Sequence, residues 1–254
     1  MSFDVGKPEF IKHLFLEKKL YHSLLEEFND PFEGKPHYNN EDKENNPQTI
    51  RNDLIKQFRI RNGGMNKKEA EKIVSNWMKT PGFIQKVIAD ATTMTFNQVR
   101  VCSFTTDKEN VLFWSHYAKS HTGICIEFDA AVMPISQAYK IHYSNTYPKI
   151  TYPPPSNEEM IKPLLVKAKA WEYENEFRTW FNPHYLEGLS SDGESLLLDS
   201  SVITNIYLGA KMDSRDRDVL LKIISRSQFT PNIWQANLSS NSFKLIFEKY
   251  TSGV

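Results

Sequence analysis

The sequence predicts an α+β fold around a mostly antiparallel, split sheet, with a helical insertion on one side. Three observations lead there: strand-like apolar runs at residues 99–104, 124–128, 177–181, 201–208 and 243–247; helical periodicity concentrated over residues 48–97; and a strand, short helix, strand pattern from 99 to 128. No internal repeat is visible. At 254 residues the chain reads as one domain, 1–254, with residues 45–97 inserted in it as helices. Hydrophobic residues make up 40% and aromatic residues 13%, enough to bury a core and too apolar for a disordered chain. The 31 basic residues balance 31 acidic ones, which argues against binding nucleic acid through bulk positive charge and leaves local basic patches open.

Taken in order, residues 8–28 place Phe10, Ile11, Leu14, Phe15, Leu20 and Leu24 at near-helical spacing, with a break around residues 20–23. Pro31 ends any helix there, because proline disfavours the helical conformation at Asp30, and Asn29-Asp30 stabilises a turn. Residues 26–44 carry seven acids against two lysines and read as a solvated loop. Over residues 51–72 the balance reverses to seven basic against three acidic. Asn62-Gly63-Gly64 separates two helices there, about 48–61 and 66–79, with one basic face. A further helix, 81–97, leads into the strand 99–104. Thr105-Thr106-Asp107 turns the chain, residues 111–120 make a short aromatic-rich helix, and Gly123 stops it before the strand 124–128. Pro148 and Pro153-Pro154-Pro155 mark a long surface loop. Helical periodicity resumes over 158–171 with Pro163 in its first turn, and the strands 177–181, 201–208 and 243–247 follow, with a helix at 214–226 between the last two.

No G-x-G-x-x-G, Walker loop or G-x-S-x-G occurs, which lowers the case for dinucleotide-fold oxidoreductases, P-loop enzymes and serine hydrolases. None of the seven histidines pairs with another at H-x-x-x-H spacing, and Cys102 and Cys125 sit in strand-like runs as small buried hydrophobes, so no metal site is expected. The longest apolar stretches are far short of the ~20 residues needed to cross a bilayer. The first twenty residues are too charged for a secretory signal, so a cytoplasmic location without a membrane partner is expected.

The segment Trp171-Glu172-Tyr173-Glu174-Asn175-Glu176-Phe177-Arg178-Thr179-Trp180 is the most informative. If it is extended, Glu174, Glu176 and Arg178 lie on one face, with neighbours about 7 Å apart. Carboxylates so placed can stabilise an oxocarbenium-like centre or hold a ribose hydroxyl, and Arg178 can keep one of them ionised. The plainer reading, a solvated strand face with an intrastrand ion pair, stays open. A second constellation is Val101-Cys102-Ser103-Phe104 followed by Phe113-Trp114-Ser115-His116-Tyr117: a strand ending in a hydroxyl, then a helix whose Trp114, His116 and Tyr117 could wall a flat ring. Core packing of the same aromatics is the alternative.

Three motifs in this order, Phe28-Asn29-Asp30-Pro31-Phe32-Glu33, then Trp114-Ser115-His116-Tyr117-Ala118 with His121 and Gly123, then Trp171-x-x-Glu174-x-Glu176-x-Arg178, resemble a widespread bacterial domain family of unknown function. The layout also resembles the ADP-ribosyltransferase fold, in which a strand and the following helix supply hydroxyl and aromatic residues around nicotinamide, and a later strand supplies a catalytic glutamate, often as E-x-E. That resemblance implies Glu176 as the catalytic glutamate and Glu174 as the first member of the pair. It implies Ser103, Tyr117, His116, Trp114 and Arg178 around the NAD co-substrate, with His22 in place of the opening strand's His or Arg. Nicotinamide would leave NAD while Glu176 bonds the ribose 2′-hydroxyl and Glu174 orients or deprotonates the acceptor. The expectation is therefore an NAD-dependent ADP-ribosyltransferase-like enzyme of toxin or phage-defence type. It would modify a macromolecule, protein or nucleic acid, with RNA or DNA reached through the basic helices 51–72 and an antitoxin protein among its partners. The rivals are a non-catalytic interaction module docking a partner on the Glu174, Glu176 and Arg178 face, and a nuclease or glycosidic-bond hydrolase using the same carboxylates.

Overall fold

A computed structural model describes residues 8–38, 47–151, 154, 156–184, 186 and 188–251, with the backbone alone for 37, 38 and 91–95. Residues 39–44 of the expected solvated loop, and Tyr152, Pro153 and Pro155 of the proline-rich one, lie outside the described residues. The chain forms two compact units, one of Met1–Ser23, Arg100–Lys140 and Glu172–Val254, the other of Leu24–Val99 and Ile141–Trp171. In chain order the helices are α1 (Glu9–Leu16), α2 (Pro47–Arg61), α3 (Lys67–Trp77), α4 (Phe83–Phe96), α5 (Val111–His116), α6 (Asn157–Ile161) and α7 (Ser214–Ile224). The strands are β1 (Lys19–Tyr21), β2 (Ser23–Leu24), β3 (His37–Tyr38), β4 (Arg100–Thr105), β5 (Ile124–Phe128), β6 (Tyr139–Lys140), β7 (His142–Ser144), β8 (Lys149–Ile150), β9 (Val166–Ala168), β10 (Glu176–Phe181), β11 (Ser195–Leu197), β12 (Ile203–Leu208), β13 (Asn232–Leu238) and β14 (Leu245–Lys249). The fold is α+β.

In the first unit α1 buries Ile11, Leu14 and Phe15, the i, i+3, i+4 stripe of an amphipathic helix. The helical spacing read over 8–28 with a break around 20–23 ends earlier, at Leu16, because Lys18 turns left-handed at φ 56°, and Leu20 reaches the core from β1, paired antiparallel with β11. One sheet runs β14–β13–β12–β5. Its β12 and β13 are parallel, because α7, capped by Asp213 accepting from the Asp216 amide at 2.8 Å, carries the chain across between them. Strand β13 has no counterpart in the sequence reading, since Asn232, Gln235 and Asn237 interrupt its apolar residues. The buried face of this sheet packs Ile124, Ile206 and Leu208 against α1 and α7, and each such side chain contributes about 1.5–3 kcal/mol by leaving water. In a second sheet β10 lies between β4 and β6, antiparallel to both.

The helix expected over 111–120 ends at His116. Lys119, Ser120 and His121 then take φ of 48°, 53° and 69°, a left-handed turn that costs roughly 1–2 kcal/mol per residue. Its amides hold it in place: Ser120 donates to the Ser115 carbonyl at 3.2 Å, His121 to Trp114 at 3.0 Å and Gly123 to Ala118 at 2.8 Å. The His121 ring stacks on the Trp114 indole with centroids 6.3 Å apart. The sheet closes onto this turn through the Gly209 amide, 2.9 Å from the Gly123 carbonyl, and the Lys211 amide, 2.9 Å from that of His121. A Cβ at position 209 would stand 2.1 Å from the His121 carbonyl oxygen, a backbone atom with little freedom to move. Gly209→Ala is expected to lower stability by about 2 kcal/mol in urea denaturation, and an unchanged midpoint would show that the turn yields freely.

In the second unit α2 and α3 form a hairpin around Ile55, Ala70 and Val74, turned at Gly63 and Gly64, both left-handed. Asn66 caps α3 by accepting from the Lys68 amide at 2.9 Å. The helix expected over 158–171 breaks after Ile161: Pro163 has no amide to continue it, so the chain tightens into a 3-10 turn over Lys162–Leu165 and leaves as β9, parallel to β7. Asp30 fixes the Asn-Asp-Pro-Phe-Glu turn by accepting from the Phe32 amide at 2.9 Å. Glu33 meets Lys167 at 3.4 Å with both side chains buried, and that ammonium lies 5.1 Å from the Trp171 ring centroid. The first motif therefore braces its own unit.

Candidate functional site

The alternation of a strand puts Glu176 and Arg178 on one face of β10. The guanidinium closes on the carboxylate as a fork, Nε to Oε1 at 2.6 Å and the second nitrogen to Oε2 at 3.0 Å. Arg178 is fully buried and Glu176 is 2% exposed, so this is a desolvated pair rather than a solvated strand face. Register supplies its neighbours. Arg178 stands opposite Ser103 on β4 and Tyr139 on β6, and Glu176 opposite Thr105. Directly opposed residues share a face at strand spacings of about 4.8 Å. Ser103, Arg178 and Tyr139 therefore form a row across three strands, with Ser103 and Tyr139 exposed at its ends.

Glu174 is not on that strand. It ends a 3-10 turn, Lys169–Glu174, and Asn175 reverses the chain at φ 47° before β10 begins. The single extended face expected for Glu174, Glu176 and Arg178 is thus a correction for Glu174, which reaches the cluster by another route. Tyr117, just past α5, donates its phenol to Glu174 Oε1 at 2.6 Å, and Glu174 is 2% exposed. Burial first, then the hydrogen bond to Glu174 and the charges of Glu174, Tyr173 and Glu176, raise the Tyr117 phenol above its ordinary range. It stays protonated as a donor, which leaves its hydroxyl committed to the carboxylate. Asn110, which caps α5, also donates to the Tyr173 carbonyl at 2.9 Å, tying the helix start to the residue before Glu174. Burial, with a smaller push from Glu176, takes the Cys102 thiol up to about 12, so it is no nucleophile at neutral pH.

The other sequence candidates go to different places. His116 is exposed, its ring 6.4 Å from that of Tyr117. Trp114 is buried, donates its indole to the Lys108 carbonyl at 2.8 Å, and joins Tyr207 and Phe247 rather than the carboxylates. That second cluster holds its own polar chain: Tyr207 and Asn205 donate to Glu127, and Trp234 donates to Asn205. His22 is fully buried, and Nε2 meets the Thr179 hydroxyl at 2.9 Å. Thr179 points to the face of β10 opposite Arg178, so His22 is not brought to the carboxylates. Sequence reasoning missed Tyr139, because β6 is two residues long and leaves no periodic signal. Among the described residues no group of three His, Cys, Asp or Glu is arranged to hold a metal ion, and no helix is long and apolar enough to cross a membrane.

A family model described as a protein of unknown function (DUF2971) matches residues 113–179. That span opens on the helix leading to Tyr117 and closes just past Arg178, so it contains Glu174 and Glu176. No curated protein and no solved structure matches the chain.

Proposed function

We propose that this chain is an ADP-ribosyltransferase-like enzyme that takes ADP-ribose from NAD to a macromolecular acceptor, as a toxin or defence effector does. The observation that carries the reading is the meeting of two carboxylates of different setting at the head of β10: Glu176 forked by Arg178, and Glu174 bonded by Tyr117. Such a pair divides the labour a glycosidic transfer needs. Arg178 holds Glu176 ionised and oriented, so its carboxylate can accept from a ribose 2′-hydroxyl and stabilise the positive charge that grows as the bond to nicotinamide breaks. Glu174 takes the proton of the attacking acceptor group, and Tyr117 fixes its orientation. Ser103 and Tyr139 are exposed in the row with Arg178, and in this reading they touch the co-substrate. Since Glu176 is 2% exposed, turnover includes a step that uncovers it.

Incubation with labelled NAD and lysate is expected to show label transfer with release of nicotinamide, and Glu176→Gln is expected to lower it by roughly a hundredfold or more. Absence of both signals, or a Glu176→Gln variant as active as the parent, sinks the reading. Nicotinamide release without label transfer would point to a hydrolase instead.

One observation favours a second reading, a non-catalytic interaction module. Both Glu176 oxygens are engaged by Arg178 and the Tyr117 hydroxyl by Glu174, as in a network built to hold a face in shape. That reading predicts that Glu176→Gln alters stability and partner binding while NAD is untouched in parent and variant alike.

A further inference from the structure

We infer that the outer side of α3 is a docking surface for the phosphate backbone of single-stranded nucleic acid. The chain as a whole is neutral, so the inference rests on where charge is left over after the hairpin has used its own. Arg51 spends its guanidinium on the Ser75 hydroxyl at 3.1 Å and Arg59 on the Met65 carbonyl at 2.9 Å. Lys67 faces Glu71 at 3.9 Å. Lys56, Arg61, Lys68, Lys72 and Lys79 remain exposed with no ion pair to a described residue, against one exposed acid left in the same state on α3, Glu69, and of these cations Lys68, Lys72 and Lys79 belong to α3 and the turn after it.

Their spacing makes them a line. Lys68, Lys72 and Asn76 follow at four-residue steps, which stacks them on one side of the helix, away from the buried Ala70 and Val74. Lys79 continues the line from the turn in which its amide donates to the Asn76 carbonyl at 3.2 Å. From Lys68 to Lys79 the rise is about 16 Å at 1.5 Å per residue. Three ammonium groups and an amide donor along a straight track match a linear polyanion, with the amide able to donate to a phosphate oxygen.

The same side lacks what other anionic partners need. The track itself carries no apolar side chain: Trp77, 37% exposed, packs edge-on to Phe58 at 4.9 Å and against Phe83 at 6.0 Å, and Ile60, 65% exposed, belongs to α2, so Lys68, Lys72 and Lys79 bring no wedge of their own to a bilayer. Nor does the track have the aromatic or aliphatic anchor around which a protein interface forms. The inference is independent of the chemistry at Glu176, because binding is read without NAD.

Fluorescence anisotropy of a labelled oligouridylate with the full chain, from about 50 to 200 mM salt, tests it. Three phosphate contacts predict a log–log slope of about −2 on a single strand, roughly a 16-fold loss of affinity over that range. Lys68→Gln/Lys72→Gln/Lys79→Gln is expected to weaken binding at least tenfold while unfolding at the parent's denaturant midpoint. Lys72→Gln alone should reduce the slope by about 0.7. No binding, a slope near zero, a triple variant that binds like the parent, or tighter binding to phosphatidylserine vesicles than to the oligonucleotide overturns it.

Discussion

Arg178→Ala is expected to cost about 3–5 kcal/mol, a large part of the 5–15 kcal/mol that holds a typical domain together. The reason is the charge left behind more than the contact removed. In the parent the guanidinium meets both oxygens of Glu176, and neither side chain has more than 2% of its surface in water. Once it is gone, an ionised carboxylate stays buried with Glu174 two residues away, itself 2% exposed. A double-mutant cycle in urea separates the two contributions. Glu176→Leu/Arg178→Met, which removes both charges and keeps the volume, is expected to recover most of the loss, because desolvating an ion pair offsets much of its attraction. The single variant carries its own pH signature. A buried carboxyl without a cation takes a proton at raised pH, so the folded state binds more protons than the unfolded chain, and the stability gap between Arg178→Ala and the parent should narrow as pH falls. A gap constant from pH 8 to 5, or a double variant as unstable as the single one, would show that Arg178 acts through shape alone.

How much of this was legible depends on whether a feature is local in sequence. The Glu176–Arg178 fork was, because both lie on one strand two residues apart and alternation alone puts them on a face. The basic character of α2 and α3 was legible too, although not that Arg51 and Arg59 are consumed inside the hairpin. Glu174 was misplaced because one left-handed residue, Asn175, redirects the chain, and asparagine tolerates that conformation without announcing it. The bond from Tyr117 to Glu174 joins residues 57 apart, so no spacing rule could reach it. Trp114 reads in the sequence as part of a ring-binding wall, and His121 as one residue of a family motif. They turn out to hold a strained turn in place, and its need only appears when Gly209 arrives from another strand. Pro163 is local but its effect is not: it ends the helix at Ile161, and the rest of the span expected as helical becomes 3-10 turns around the three-residue strand Val166–Ala168.

Acidification provides the second large effect, through His22. Leu20 offers its ring a carbonyl, which only accepts, so Nδ1 at 2.9 Å carries the proton and Nε2 is the bare nitrogen that receives the Thr179 hydroxyl. Burial lowers the histidine from 6.5 to about 4, the Leu20 carbonyl pulls the other way, and the Arg100 guanidinium, which donates to the His22 carbonyl at 3.1 Å, adds to the lowering. The direction of the pH effect follows from the proton count. Between about 6.5 and 4 the unfolded chain binds a proton that the folded state refuses, so stability rises with pH across that window. The histidine's contribution is fully present above about 6.5, is lost progressively as pH falls to about 4, and changes no further below that. A fall from 6.5 to about 4 corresponds to about 3 kcal/mol. Carboxylates titrate in the same range, so the measurement is a difference: unfolding free energy against pH for the parent and for His22→Phe. The variant starts less stable, having left Leu20 and Thr179 without the ring, but its curve should lack this slope, and the two curves should converge as pH drops from 6.5 to 4. Parallel curves would mean that His22 accepts a proton where it sits, and that the Thr179 hydroxyl turns to receive it.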